Sequence, residues 1–252
     1  MTPHRTPSSP PLAGSRRCPA RGRPATEPAV PGTGPGGALP GVRTVPSGFV
    51  RAHTQVRRPS SVPEVRLHVA DDVVALWEAM EDEGGAGEAP PFWAAAWPGG
   101  QALARFVLDH PEVVAGRAVL DLGSGSGLVA IAACLAGARS VLASDVDPFS
   151  RAAVGVNAGL NGVDRVSVTG DVLDRDPAGV DVVLAGDVCY DREMTERVLP
   201  FLERTRARGR EVFVGDPGRP YLPRERLTAV AAYDIPETEG PGLRRTTVWR
   251  LP

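Results

Sequence analysis

Lysine is missing from this 252-residue chain: the 28 basic residues are all arginine, set against 30 acids, for a formal net charge of −2. That balance excludes nucleic-acid binding driven by bulk positive charge, and no nucleic-acid partner is expected. No run of about 18 apolar residues occurs, so the sequence offers no transmembrane helix and no membrane partner is expected. Cysteine is scarce. Cys18, Cys134 and Cys189 stand far apart and provide neither a disulfide framework nor a metal cluster. His4, His53, His68 and His110 are equally scattered, and no metal site is expected. Hydrophobic residues at 42% and charged residues at 23% are ordinary for a globular protein and exclude disorder throughout.

Glycine and proline, by contrast, are abundant, and unevenly placed. The first 50 residues hold 11 Pro, 8 Gly and 6 Arg, with Glu27 as the one acid and Phe49 as the one aromatic. They show no Gly-X-Y period, so the segment is not collagen-like. It cannot bury enough apolar surface to offset its chain entropy. Residues 1–46 therefore read as a disordered Pro/Gly/Arg-rich tail. Its Arg-rich, acid-poor character resembles a transit peptide, but its prolines oppose the amphipathic helix such peptides form. It lacks the apolar core of a secretory signal, and a cytoplasmic location is expected. Residues 47–252 are long enough for one domain with a sizeable core. Within it, 47–110 reads as an N-terminal helical, substrate-side extension and 111–252 as the ligand-binding core. A monomer is expected.

Two helices are predicted first, Asp71–Glu83 with Val74, Leu76, Trp77 and Met80 inward, and Pro98–Leu108 with Leu103, Phe106 and Val107 on one stripe. Residues 84–91 read as the loop between them. Strands and helices then alternate: strands at Ala118–Leu122, Ser140–Ser144, Arg165–Thr169, Val180–Ala185 and Glu211–Gly215, helices at Leu128–Ala136, Phe149–Leu160 and Arg192–Arg208. A further helix is predicted over Arg224–Ala231, and closing strands over Ala232–Ile235 and Thr246–Arg250. Such alternation implies an α/β fold with a mostly parallel sheet and helices on both faces, whose ligands bind beyond the carboxyl ends of the strands.

Those ends carry the chemistry. The first runs into Asp121-Leu-Gly123-Ser124-Gly125-Ser-Gly127. Glycines at alternate positions let the backbone turn sharply and approach a ligand, and the next helix aims its N–H groups at it. A dinucleotide fingerprint needs glycine where Leu128 stands. The leading Asp121 disfavours a phosphate and favours a ligand with an ammonium group, such as an amino-acid headgroup. Asp145, 24 residues further on, sits where a carboxylate takes both hydroxyls of a ribose, with Asp147 the alternative helix cap. Asp171 ends the third strand, either as an acceptor for an adenine amino group or as a turn residue.

This combination resembles the class I S-adenosylmethionine-dependent methyltransferases, with Asp121 to Gly127 as their first motif, Asp145 as their ribose acid and Asp171 as their adenine-contacting acid. The resemblance implies a Rossmann-like seven-stranded sheet with the last strand antiparallel, and S-adenosylmethionine as cofactor. Asp187 and Tyr190 fit the Asp-x-x-Tyr pattern of the lysine-directed branch. Three further segments, Pro91-Phe-Trp-Ala-Ala-Ala-Trp-Pro-Gly-Gly-Gln101, Gly215-Asp-Pro-Gly-Arg-Pro220 and Gly242-Leu-Arg-Arg-Thr-Thr-Val-Trp249, are similar to the electron transfer flavoprotein β-subunit lysine methyltransferases. The similarity spans Phe49 to Pro252. One departure is Cys189, where mitochondrial members tend to carry a bulkier apolar residue.

The resemblance implies a protein-lysine N-methyltransferase whose partner is the β subunit of that flavoprotein. Asp187 is then the residue to orient the amine, and Tyr190 the wall of the lysine channel. Trp97, and less strongly Trp93, become cofactor contacts, with core packing as the alternative for each. Asp216 and Arg219 belong to the same rim, either facing the protein substrate or making a tight turn. The residues leave open a methyltransferase of another protein, such as a ribosomal protein, or of a small-molecule amine.

Overall fold

The computed structural model describes residues 46–82, 90–176, 178–236 and 242–252. The tail reading up to residue 45, and the loop reading up to residue 89, fall outside these. In chain order the elements are α1 (Pro46–His53), β1 (Gln55–Arg57), β2 (Leu67–Val69), α2 (Val73–Asp82), α3 (Pro98–Asp109), β3 (Ala118–Leu122), α4 (Leu128–Leu135), β4 (Ser140–Ser144), α5 (Pro148–Leu160), β5 (Val166–Thr169), β6 (Val182–Gly186), α6 (Arg192–Ala207), β7 (Glu211–Asp216), β8 (Thr228–Pro236) and β9 (Leu243–Arg250).

Seven strands form one sheet in the order β5-β4-β3-β6-β7-β9-β8. Neighbours from β5 to β7 run parallel, and β9 inserts between β7 and β8 antiparallel to both. The fold is thus the α/β, Rossmann-like, mostly parallel sheet with its last strand reversed. The central strands β3, β6 and β7 are largely apolar because both faces are covered, and successive side chains go to opposite sides. Val119, Val141, Val182, Leu184 and Phe213 pack with Leu103, Phe106 and Val107 of α3 and Ile131 of α4. Leu120, Val183, Ala185, Val212 and Val214 pack instead with Val198, Phe201 and Leu202 of α6. Each fully buried side chain of this size contributes about 1.5–3 kcal/mol.

The predicted helix over Arg224–Ala231 is corrected. Only Arg224–Arg226 forms a short 3-10 turn, and Thr228 opens strand β8, paired with β9 from Thr228↔Arg250 to Pro236↔Leu243. Alanine and arginine favour helix locally, but the pairing available along β9 overrides that preference. Val74 is also corrected, since it is exposed, whereas Leu76 and Met80 of the same helix are buried.

The 47–110 segment is not only helical, because β1 and β2 form an antiparallel pair. It also shares its core with the sheet: Val62, Val65 and Leu67 belong to the same apolar cluster as α3 and α4. Phe49 of α1 meets Phe149 of α5 edge-on, with ring centroids 5.3 Å apart. Asn157 of α5, fully buried, accepts the His68 N–H at 2.8 Å and donates to the Ser126 carbonyl at 2.8 Å. Among the described residues no helix is long and apolar enough to cross a membrane.

Candidate active site

The carboxyl ends of β3, β4 and β6, together with the start of α3, enclose a cavity of about 390 Å³. Gly123, Gly125, Asp145 and Asp171 line one part of it, and Phe92, Trp97, Asp187, Tyr190 and Arg219 another. The parallel topology brings these together, because every β-to-α connection leaves the sheet at the same edge.

Glycine 125 is held by Asp145, whose Oδ2 accepts its N–H at 2.9 Å while Oδ1 accepts the Asp147 N–H at 3.0 Å. Asp147 is the cap of α5, accepting from Phe149 and Ser150 N–H, so the capping role falls to it and leaves Asp145 facing the cavity. Burial, chiefly, pushes the Asp145 carboxyl above its ordinary range. Asp171 accepts the Leu173 N–H at 2.8 Å and pairs with Arg197 of α6 at 2.8 Å.

Asp121, Ser124 and Gly127 of the loop do not line the cavity. Asp121 is turned beneath the loop, where its Oδ2 accepts the Ala130 N–H at 3.0 Å. It is 1% exposed, and burial pushes its carboxyl up to about 7. This acid secures the first turn of α4. The Ser124 hydroxyl is buried with no hydrogen-bond partner among the described residues.

The other wall depends on a close approach of backbones. A Cβ on Gly99 would lie 2.2 Å from the Gly215 carbonyl oxygen and 2.6 Å from Asp187 Oδ2. Only glycine lets α3 begin directly over the ends of β6 and β7. The Gly100 N–H therefore reaches Asp187 Oδ2 at 2.8 Å, and the Asp187 N–H reaches the Gly215 carbonyl at 2.9 Å. Asp187 takes φ 57°, the left-handed region that few residues besides glycine, asparagine and aspartate adopt, and these contacts hold it there. Its Oδ1 accepts from Arg219 at 3.1 Å. Burial pushes the Asp187 carboxyl up to about 6, against the lowering pull of the Gly100 N–H and of Arg219.

Three rings line the same cavity as Asp187. Trp97 precedes α3 and donates its indole N–H to the Phe92 carbonyl at 2.7 Å. Phe92 meets Trp97 edge-on at 5.8 Å and Tyr190 at 5.7 Å between centroids. Phe92 and Tyr190 remain about 40% exposed at the mouth. Trp93 is fully buried and stacks on Phe149 at 6.4 Å, so it is a core residue. Sequence reasoning passed over Phe92. It lies within the quoted Pro91–Gln101 segment, but no periodicity marks an exposed ring.

Cysteine 189 is buried, and burial pushes its thiol up to about 11, so it stays neutral. That agrees with a reaction that forms no covalent enzyme intermediate.

The reversed last strand, the glycine turn after β3 and the acids ending the next strands define a class I S-adenosylmethionine-dependent methyltransferase. The family model for ribosomal protein L11 methyltransferase (PrmA) matches residues 102–189. Over 217 residues the chain is 36% identical to the electron transfer flavoprotein beta subunit lysine methyltransferase of Xenopus laevis, covering 82% of this chain and 87% of that one. It is 36% identical over 211 residues to the enzyme of that name from Rattus norvegicus, covering 80% and 82%. A solved structure, magnesium protoporphyrin IX methyltransferase from Synechocystis PCC 6803 with bound donor, is similar at a TM-score of 0.46 and 14% identity, covering 61% of this chain and 78% of that chain. The chain belongs to the electron transfer flavoprotein beta subunit lysine methyltransferase family.

Proposed function

We propose that this enzyme methylates lysine side chains on the β subunit of electron transfer flavoprotein. The observation that carries the reading is the single cavity in which Asp145 and the glycine loop face Asp187, Tyr190 and Phe92. The residues fit S-adenosylmethionine. Asp145 keeps a free lone pair on each oxygen for ribose hydroxyls, and Asp171 keeps acceptor capacity for an adenine amino group. Gly123 and Gly125 bring the loop backbone to the cavity for the amino-acid end, and Ser124 and Gly127 belong to the loop without lining it. Trp97 offers a ring to the adenosyl side. Asp121 acts through the loop and α4 rather than by touching the donor.

The bound donor supplies an electrophilic methyl group on a sulfonium. The acceptor must be a neutral amine, yet a free lysine has a pKa near ~10.4, so only about one in a thousand is neutral at pH 7.4. Asp187 accepts an N–H from that amine and so aims its lone pair. Positioning of this kind supplies much of the barrier reduction. Tyr190 and Phe92 flank the aliphatic stem and offer ring faces to a cation, worth about 0.5–2 kcal/mol.

The match to the ribosomal protein L11 enzyme ends at Cys189, before Tyr190 and the Gly215–Pro220 turn. It takes in Asp187 as well as Asp145 and Asp171, whereas the similarity to the flavoprotein-directed enzymes covers 82% of this chain. The test is incubation with the purified flavoprotein and labelled donor, followed by intact mass. Methyl groups on lysines of the β subunit are expected, and none on any of them would overturn the substrate.

A further inference from the structure

Arg219 sits in a turn built to aim it. β7 ends in Asp216, which is 1% exposed and accepts the Gly218 N–H at 2.6 Å and the Arg219 N–H at 2.7 Å on one oxygen. Gly218 takes φ 90°, and Arg224 donates to its carbonyl at 3.0 Å. Pinned from both sides, the turn sends the Arg219 side chain into the cavity wall, where it meets Asp187 Oδ1. The opposite oxygen of Asp187 is held by the start of α3.

We propose that Arg219 is a positioning residue for methyl transfer: as a fixed cation beside Asp187, it makes that carboxylate receive a lysine as free amine rather than as ammonium. The inference rests on Asp187 being the group that orients the substrate amine.

An isolated buried carboxylate would hold an ammonium as an ion pair and raise the amine's pKa, because an opposite charge favours the charged form. That would oppose a reaction that needs the lone pair. A guanidinium stays protonated at any working pH. The Asp187–Arg219 pair is therefore already neutral, and a second cation at the same carboxylate meets repulsion from the first. A neutral amine meets none, and it can donate one N–H to Oδ1 while its lone pair stays free.

The other groups facing Asp187 do not upset this balance. Asp216 is a second carboxylate acting on Asp187: burial pushes its carboxyl upward, Oδ1 is spent on the backbone of its own turn, Oδ2 lies buried with no partner among the described residues, and Arg224 as well as Arg219 offsets its charge. Cys189 is a neutral thiol and Tyr190, pushed upward by burial, a neutral phenol. The α3 side presents only the Gly100 N–H. The lysine loses its proton to water on docking. The N–C bond then forms as the C–S bond breaks, with that electron pair going to sulfur. The new N-methylammonium finds its carboxylate already paired and is free to leave.

The experiment compares wild type with Arg219→Gln on the purified flavoprotein from pH 6 to 10. Calorimetry checks donor affinity and thermal melts check folding. Expected for the variant is an acid limb of kcat moved upward by about one pH unit, hence roughly tenfold less activity at pH 7.5, regained near pH 9.5. KM is expected not to rise. Arg219→Ala with added methylguanidinium should move the limb back, and supplies the same reading if Arg219→Gln folds poorly. A variant that loses activity equally at every pH, beside an active wild type, overturns the role of Arg219. An inactive wild type overturns the substrate reading instead.

Discussion

Arg219 and Asp187 close an ion pair of 3.1 Å between the turn after β7 and the end of β6, two segments 32 residues apart in the chain. Asp187 is thereby held from three directions, by Arg219, by the Gly100 N–H and, through its own N–H, by the Gly215 carbonyl. It is oriented before any substrate arrives.

Asp187→Asn keeps an acceptor for the Gly100 N–H but removes the charge. Transfer is expected to fall by about 100-fold or more, since the amine loses its alignment. Affinity for the donor should stay within about tenfold. Labelled-methyl transfer and calorimetry measure the two. Full activity in this variant would remove Asp187 from its assigned role.

Gly99→Ala places a methyl group against the Gly215 carbonyl, where no flexible side chain can yield. Destabilisation by about 1–3 kcal/mol is expected, as for other overpacked sites, with activity falling further than stability. Urea unfolding measures the first. An unchanged midpoint would mean that α3 approaches the sheet less closely than described.

Phe92→Ala should raise KM for the flavoprotein by about 4–15-fold, the range spanned by losing apolar cover over one or two CH₂ groups of the lysine stem. Donor affinity should hold, and Phe92→Tyr should stay close to wild type. If donor affinity drops in step with KM, the ring belongs to the adenosyl side of the cavity.

The Asp121 carboxyl predicts a pH dependence of stability. In the unfolded chain it titrates near ~3.9, and in the fold burial pushes it up to about 7. Between those values the folded state holds a proton that the unfolded state has released. The stability from this group is present in full below about pH 4 and is lost as pH rises through 7. Asp121→Asn should flatten the decline between pH 5 and 8 by at least about 1 kcal/mol. Chemical denaturation at the two pH values decides it, and an undiminished decline would assign the dependence to other groups.

What was legible in the sequence follows from what parallel sheets demand. β3, β6 and β7 are buried on both faces, so they read as short apolar runs, Ala118–Leu120, Val182–Ala185 and Val212–Val214, each followed by aspartate or glycine. Their common edge then placed Asp145, Asp187 and Tyr190 together. Only the second half of β8 was legible, as the strand Ala232–Ile235; the alanines of its first half carry no strand signature, and their pairing with β9 is decided at a distance. The Asp187–Arg219 pair was hidden for a related reason. It depends on Gly99 resting on Gly215, a contact between glycines more than a hundred residues apart. Asp121 was placed in the right motif, but the direction of its side chain is set by the N–H groups at the start of α4, which no spacing reveals.

The bridge through Asn157 gives the N-terminal segment a stake in the donor site. One side chain carries a bond from β2 at His68 to the loop carbonyl of Ser126. The β1–β2 pair is therefore a brace for the glycine loop. It cannot be exchanged as a detachable recognition module: any graft that changes which protein is recognised must also rebuild the support under the glycines.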